Sequence, residues 1–188
     1  MAEKKYFTPV ETKTVHKAIF AWEDEKEERW LEEMSMQGWH LTGTIPYTYY
    51  FQKGESKKMV YRLDYKLTLD KDYQEYRQIF TDAGWELVCV MSNWHYYRIL
   101  PENDKVPEIY SDNRSKAAKY QRLLVLFLIL LPTLILFIPP SLVSNHADFP
   151  EPWNFIVFSI GLTIKILFLY GVIRISLRVI SLRKSLQE

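Results

Sequence analysis

Gly38-Trp39-His40-Leu41 returns 46 residues later as Gly84-Trp85-Glu86-Leu87, and the reading of the fold starts from that pair. The same offset sets Trp30 on Tyr76, Met34 on Phe80 and Tyr50-Phe51 on Tyr96-Tyr97. A match at Gly-Trp-x-Leu alone would be weak. With aromatic positions agreeing on both sides of it, a duplicated unit is the simpler explanation.

Each copy reads the same way. Residues 15–22 are strand-like, and residues 23–36 form a helix with Trp30, Leu31 and Met34 on one face and Glu25, Glu28 and Glu32 looking outward. Gly38 fits the helix C-terminal cap, because glycine takes positive φ without the steric cost of a side chain. Residues 39–44 and 47–52 then pair around Ile45-Pro46. In the second copy residues 59–65 are the strand, 70–83 the helix with Gly84 as its cap, and 85–91 and 94–99 a hairpin across Ser92-Asn93. The expected fold class is α+β: duplicated βαββ units forming one antiparallel sheet with two helices on one face.

Charge and hydropathy divide the chain. Residues 1–113 carry 15 Lys/Arg against 20 Asp/Glu, and residues 114–188 carry 9 against 3. Residues 123–143 form an apolar run of 21 residues broken by Pro132-Thr133 and Pro139-Pro140, and residues 155–173 a run of 19 with one charge, Lys165. At about 1.5 Å per residue both cross a hydrocarbon core of roughly 30 Å. The expected organisation is a cytosolic βαββ domain over 1–113, then a transmembrane hairpin over 114–188 with spans about 121–143 and 154–174 and a basic tail. Pro132 should kink the first span. Arg114, Lys116, Lys119 and Arg122 precede the first span, Arg174, Arg178, Arg183 and Lys184 follow the second, and the loop between holds no Lys or Arg. By the positive-inside rule both termini face the cytoplasm, with Trp153 and Tyr120 as interface anchors, and a short helix continues past residue 173 along the lipid headgroups.

Two candidate sites emerge. Five of six tryptophans and eleven of thirteen tyrosines precede Asn113, so Tyr47, Tyr49, Tyr61, Tyr65 and Tyr96 are candidates for an open sheet face that binds a partner. Trp30, Trp39, Phe80 and Trp85 read as core. Lys165 lies near the bilayer midplane, where a charge costs at least about 2.5–3.5 kcal/mol, and is the intramembrane functional candidate. Snorkelling of its long stem is the competing explanation.

Catalytic signatures are missing from the sequence. The six glycines do not cluster into a phosphate loop, the four histidines show no i,i+4 pair, and Cys89 has no CxxC partner, so no catalytic residue, metal or cofactor is assigned. Cys89 reads as buried and inert. The acidic run Glu23, Asp24, Glu25, Glu27, Glu28, Glu32, Glu33 reads as a solvated helix face, helped at its start by the helix dipole. An acidic first half disfavours direct nucleic-acid binding.

Trp30-Leu31-Glu32-Glu33-Met34, Gly38-Trp39-His40-Leu41, Tyr50-Phe51, Tyr61-Arg62-Leu63-Asp64-Tyr65, Gly84-Trp85-Glu86 and Tyr96-Tyr97-Arg98 together resemble a domain-of-unknown-function family of Gram-positive bacterial membrane proteins. The resemblance covers residues 15–101, and an appended pair of spans is usual in that family. Its members are often encoded beside PadR-type transcriptional repressors, which implies by analogy a membrane-held partner of a regulator. The family has no established reaction, so the resemblance carries over no catalytic residue. The function expected is a non-enzymatic membrane-anchored interaction or sensory protein, touching membrane lipid and binding a protein partner through its cytosolic domain. The alternative is a small transport or immunity protein in which Lys165 acts within a homo-oligomer of hairpins.

Overall fold

The computed structural model describes residues 10–101, 108–110, 113–137 and 153–185. The order is β1 (Thr12–His16), α1 (Asp24–Met36), β2 (Trp39–Ile45), β3 (Thr48–Lys53), β4 (Val60–Tyr65), α2 (Tyr73–Asp82), β5 (Glu86–Met91), β6 (Trp94–Ile99), α3 (Asn113–Phe137) and α4 (Trp153–Lys184). Two compact units result, 1–109 and 110–188.

The first unit is α+β, but its strands form two antiparallel three-stranded sheets, β1-β3-β2 and β4-β6-β5, where the sequence suggested one. The seam that would have joined them falls between β2 and β5. Each of those strands carries an irregularity on its own ladder, between Leu41 and Gly43 and between Leu87 and Cys89, at positions 46 apart. A bulge bends its strand and increases the local twist, and both bulges lie on the strands that flank this seam. Other features recur at the same spacing. Gly38 and Gly84 cap their helices at φ of 80° and 83°, and Tyr47 and Asn93 take φ of 61° and 68° in the two hairpin turns. Trp30 packs edge-on to Tyr49 and Phe51, while Tyr76 does the same to His95 and Tyr97.

The two copies are not equally enclosed. Tyr97 stacks on Phe80 of α2 at 4.4 Å, and the preceding residue of β6, Tyr96, points to the opposite face and donates to Glu27 of α1. Sheet β4-β6-β5 is therefore covered on both faces, and every residue of β4 is buried. In the other sheet Tyr50 and Gln52, the counterparts of Tyr96 and Arg98, stay exposed. Beneath α2, Tyr76 donates to Asp64 at 2.9 Å and the buried His95 ring bonds the Tyr73 hydroxyl at 2.9 Å and the Asn93 carbonyl at 3.0 Å.

The most informative departure from the sequence reading concerns α1. Instead of presenting acids to water, it lies along the free edge of β4. The Leu63 N–H donates to Glu28 at 2.8 Å, the Tyr61 N–H to Glu32 at 3.3 Å and the Met59 N–H to the Ser35 hydroxyl at 3.1 Å. From Glu28 to Glu32 the match is geometric: four helical residues rise about 6 Å, and two strand residues about 6.6 Å. Glu28 and Glu32 thus meet alternate N–H groups of β4, and Ser35 meets that of Met59 just ahead of it. Arg62 joins Glu32 at 2.9 Å and Glu108 at 2.8 Å, with Glu28 at 3.9 Å; burial works against its charge, yet these carboxylates hold the guanidinium above its usual value. An edge strand that would template aggregation is closed by its own chain.

Element boundaries also differ, and β1 starts at Thr12 rather than at residue 15. β1 ends at His16 rather than at residue 22, because residues 17–23 turn back: Glu23 N–H donates to the Phe20 carbonyl at 2.8 Å and the Glu23 carboxylate receives Phe20 N–H at 3.2 Å. α2 starts at Tyr73 rather than at residue 70, since Asp70 and Asp72 are drawn to Lys66 at 3.0 Å and 2.8 Å.

The second unit pairs α3 with α4. Phe127 stacks on Phe168 at 4.9 Å and Arg178 lies over the Tyr120 ring at 5.9 Å, so the helices run antiparallel and their basic ends meet. α3 continues through Pro132 as one helix to Phe137. On α4, Gly161, Gly171, Ile175 and Val179 are buried, while Phe155, Ile160, Ile166, Leu169, Leu177 and Ile180 are more than half exposed. Among the described residues one stretch, Phe158–Lys184, is long and apolar enough to cross a membrane. The two-span hairpin expected from sequence reaches into residues outside those described. Pro139, Pro140 and the connecting loop with His146 lie outside the described residues, as does the side chain of Trp153.

Candidate functional site

The turn of residues 17–23 delivers Phe20 and Trp22 as a parallel stack, ring centres 5.0 Å apart, with Tyr47 edge-on to Phe20 at 6.4 Å. Tyr47 occupies the left-handed region at φ 61°, which costs a non-glycine residue about 1–2 kcal/mol, and projects from the β2–β3 turn with 53% of its surface exposed. Ile45, two residues before it, is 51% exposed. Phe20 and Trp22 are half-buried, so Ile45 and Tyr47 are the exposed members of this aromatic and aliphatic ridge.

Behind the ridge lies a cavity of about 130 Å³. Phe20, Tyr47, Tyr49, Leu63, Trp94 and Tyr96 are among its lining residues, and so are two carboxylates from the first turn of α1, Asp24 and Glu27. Both acids are buried, at 3% and 6% exposure. The Tyr96 hydroxyl donates to Glu27 at 2.8 Å, and the Tyr49 hydroxyl lies near the same carboxylate. Burial pushes the Glu27 carboxyl above its usual range, and neighbouring Asp24 adds to the rise while the two hydroxyls oppose it. Burial, followed by the Glu27 charge, likewise pushes the Tyr49 and Tyr96 phenols up. Lys17 lies over the Trp30 ring at 4.2 Å, its ammonium lowered by burial.

A second, more open cleft of about 380 Å³ is lined by His40, Lys53, Glu86 and Arg98. Its polar groups are already engaged: Arg98 grips Glu86 with two bonds of 2.7 Å, Lys53 donates to the Gln37 carbonyl at 3.0 Å, and His40 bonds the Glu55 carbonyl at 2.8 Å. Among the described residues no three His, Cys, Asp or Glu side chains gather as a metal site. Cys89 is half-buried, its thiol pushed up to about 12 chiefly by burial.

Of the five tyrosines expected on an open face, only Tyr47 is exposed. Tyr49, Tyr61, Tyr65 and Tyr96 are 3% exposed or less. The face that Tyr61, Tyr65 and Tyr96 share is closed by α1 and β2: Tyr96 reaches Glu27, and the Tyr61 hydroxyl receives the Leu41 N–H at 3.4 Å. Lys165 is half-buried on the α4 side that also carries Gly161 and Phe168. Asp24 and Glu27 were missed as site residues. The signal available was spacing, since Glu27 shares the i, i+4, i+7 stripe of Leu31 and Met34 and is therefore an acid on the core side of the helix.

A family model described as "Protein of unknown function (DUF2812)" matches residues 23–131. The chain belongs to that family. The match extends past the α+β unit and into α3, further than the motif resemblance over residues 15–101. No curated protein and no solved structure matches the chain.

Proposed function

We propose that this DUF2812 protein is a non-enzymatic membrane-anchored interaction or sensory protein, in which α3 and α4 form a hairpin in the bilayer and the α+β unit docks a protein partner from the cytoplasm. The observation that carries the docking half is the ridge of Phe20, Trp22, Ile45 and Tyr47, in which a turn residue in a costly backbone conformation holds an aromatic ring out in solvent. An exposed aromatic such as Tyr47 belongs to a class enriched where proteins meet. The anchoring half is supported by the exposed apolar side of α4 and by the meeting of basic ends from two antiparallel helices, which the positive-inside rule assigns to the cytoplasmic side. The family resemblance points to a transcriptional repressor of the PadR type as the partner. Purifying the full chain from its own membranes with bound partner, in wild-type and Tyr47→Ala/Trp22→Ala forms, tests the reading. A single partner captured by the wild type and lost in the double variant upholds it; equal capture by both defeats it.

A second reading, a small transport or immunity protein, draws on Lys165. Its half-buried place on the side of α4 that carries Phe168, which stacks on α3, keeps the charge within the helix pair rather than wholly toward lipid. Lys165→Leu abolishing the cellular phenotype while Tyr47→Ala leaves it intact would favour this reading over the first.

A further inference from the structure

We propose that α2 of one copy of this chain closes the β1 edge of a second copy, by the same contact that α1 makes with β4 inside each chain. The duplication supplies both halves of that contact. Glu28, Glu32 and Ser35, which receive the N–H groups of Leu63, Tyr61 and Met59, recur 46 residues later as Gln74, Gln78 and Thr81. Each counterpart keeps an acceptor oxygen, and the two glutamines keep the reach of glutamate. All three are exposed and share one stripe of α2 at i, i+4 and i+7. Within the chain α1 runs along β4, whereas α2 packs through Phe80 on Tyr97 of its own sheet.

The strand half is open as well. His16 opposes Thr48 as Tyr65 opposes Trp94, which sets Thr12 and Thr14 at the places of Tyr61 and Leu63. Lys17 donates its N–H to the Tyr47 carbonyl at 2.9 Å, and the Glu11 carbonyl accepts from the Lys53 N–H at 2.7 Å, so the odd-numbered residues of β1 turn their backbone toward β3. The N–H groups of Thr12, Thr14 and His16 therefore point outward along the edge, and these three residues are exposed. Charge agrees with the match. On β4, Arg62 draws the carboxylates of Glu28 and Glu32; at the matching place on β1, Lys13 is held over the Trp39 ring at 5.1 Å, and neutral acceptors on α2 suffice. Leu31, 0% exposed in α1, becomes Arg77 in α2, so the contact between copies is the more polar one, as in partners that also exist apart. The occupant is a second copy because its α2 already carries acceptors at the spacing that α1 uses. Made twice, α2 of each copy on β1 of the other, the contact gives a two-fold dimer in which both β1 edges are covered.

The test uses the full chain with Cys89→Ser, expressed in the same cells as two differently tagged variants and treated with a short bis-maleimide. Gln74→Cys in one copy and Thr14→Cys in the other should give a covalent dimer at about ten times or more the yield of Ile79→Cys with Thr14→Cys, since Ile79 is exposed on another side of α2. Gln78→Cys with Thr12→Cys should do the same. Adding Thr14→Pro to the copy that carries Thr12→Cys removes an outward N–H and no bond to β3, so it should lower this second yield about tenfold while the melting temperature holds. Should the proline lower the melting temperature, the comparison with Ile79 decides alone. Yields no greater than with Ile79, a dimer that survives Thr14→Pro, or adducts to a different protein in place of the dimer overturn the proposal. The inference is independent of the aromatic ridge: Tyr47→Ala/Trp22→Ala should leave the covalent dimer unchanged, so a dimer formed by a protein that captures no other partner upholds this contact and defeats the docking reading.

Discussion

Glu28→Ala removes the acceptor that closes the centre of the β4 edge. Leu63 is 1% exposed, and its N–H has Glu28 Oε1 at 2.8 Å, so the truncation leaves a buried donor without that acceptor. A stranded buried donor costs about 1–3 kcal/mol, and hydrogen bonds to charged groups contribute about 1.5–3 kcal/mol. Arg62 loses its more distant carboxylate neighbour at 3.9 Å but keeps Glu32 and Glu108, which limits the added electrostatic loss. The expected total is about 2–3 kcal/mol. Glu28→Gln keeps an acceptor oxygen at the same reach and should cost about 1 kcal/mol or less. Denaturant unfolding of the α+β unit within the full chain, read by tryptophan fluorescence, gives the magnitudes. Amide hydrogen exchange gives the location, with Leu63 and then Tyr61 losing protection first. If Glu28 were a solvated surface acid, the alanine variant would be neutral. A loss below about 0.5 kcal/mol, or equal losses for alanine and glutamine, refutes the clamp.

Other expectations follow from single sites. Gly38→Ala should destabilise by about 2 kcal/mol and more than Gly84→Ala, because both sit at positive φ but only at Gly38 would a Cβ meet a backbone oxygen, at 2.8 Å from Gly54, against 3.4 Å from the Ile99 side chain at Gly84; thermal melts of the two variants decide it. Burial lowers the His95 pKa, so the folded state binds fewer protons than the unfolded one and stability should fall as pH drops below about 6.5, a dependence that His95→Gln removes in melts across pH 5–8. Glu27 has the opposite sign: its raised value makes the folded state bind more protons, so its contribution is best below about pH 4.5 and is lost as pH rises through the folded value, and Glu27→Gln should raise the melting temperature at pH 7 to 8 with a gain that shrinks on acidification. Cys89 should react slowly with maleimide at pH 8 in the native state and rapidly in denaturant.

The repeat was legible because its signal is local. Gly38 and Gly84 are read as helix caps from one residue type, and the hairpins that follow match strand for strand at the 46-residue offset. What failed was long-range. An acid on a helix reads as solvent-facing, and nothing near Glu28 in the chain reveals that the β4 backbone lies against it 35 residues away. The tyrosines failed for the same reason, since strand alternation gives two faces but not which of them another element will cover. Only Tyr47, in a turn rather than a strand, kept the exposure expected of it. The division into two sheets was no more legible, since alternation of side chains announces neither where pairing stops nor the bulges at Leu41/Gly43 and Leu87/Cys89.

The account stands most directly on contact at the ridge in living membranes. With a photo-crosslinking amino acid at position 47, and a control at Lys71, an exposed position just ahead of α2, irradiation of intact cells should yield one discrete protein adduct in the membrane fraction from position 47 and none from position 71. Adducts that are absent from both, or identical at both, would contradict it.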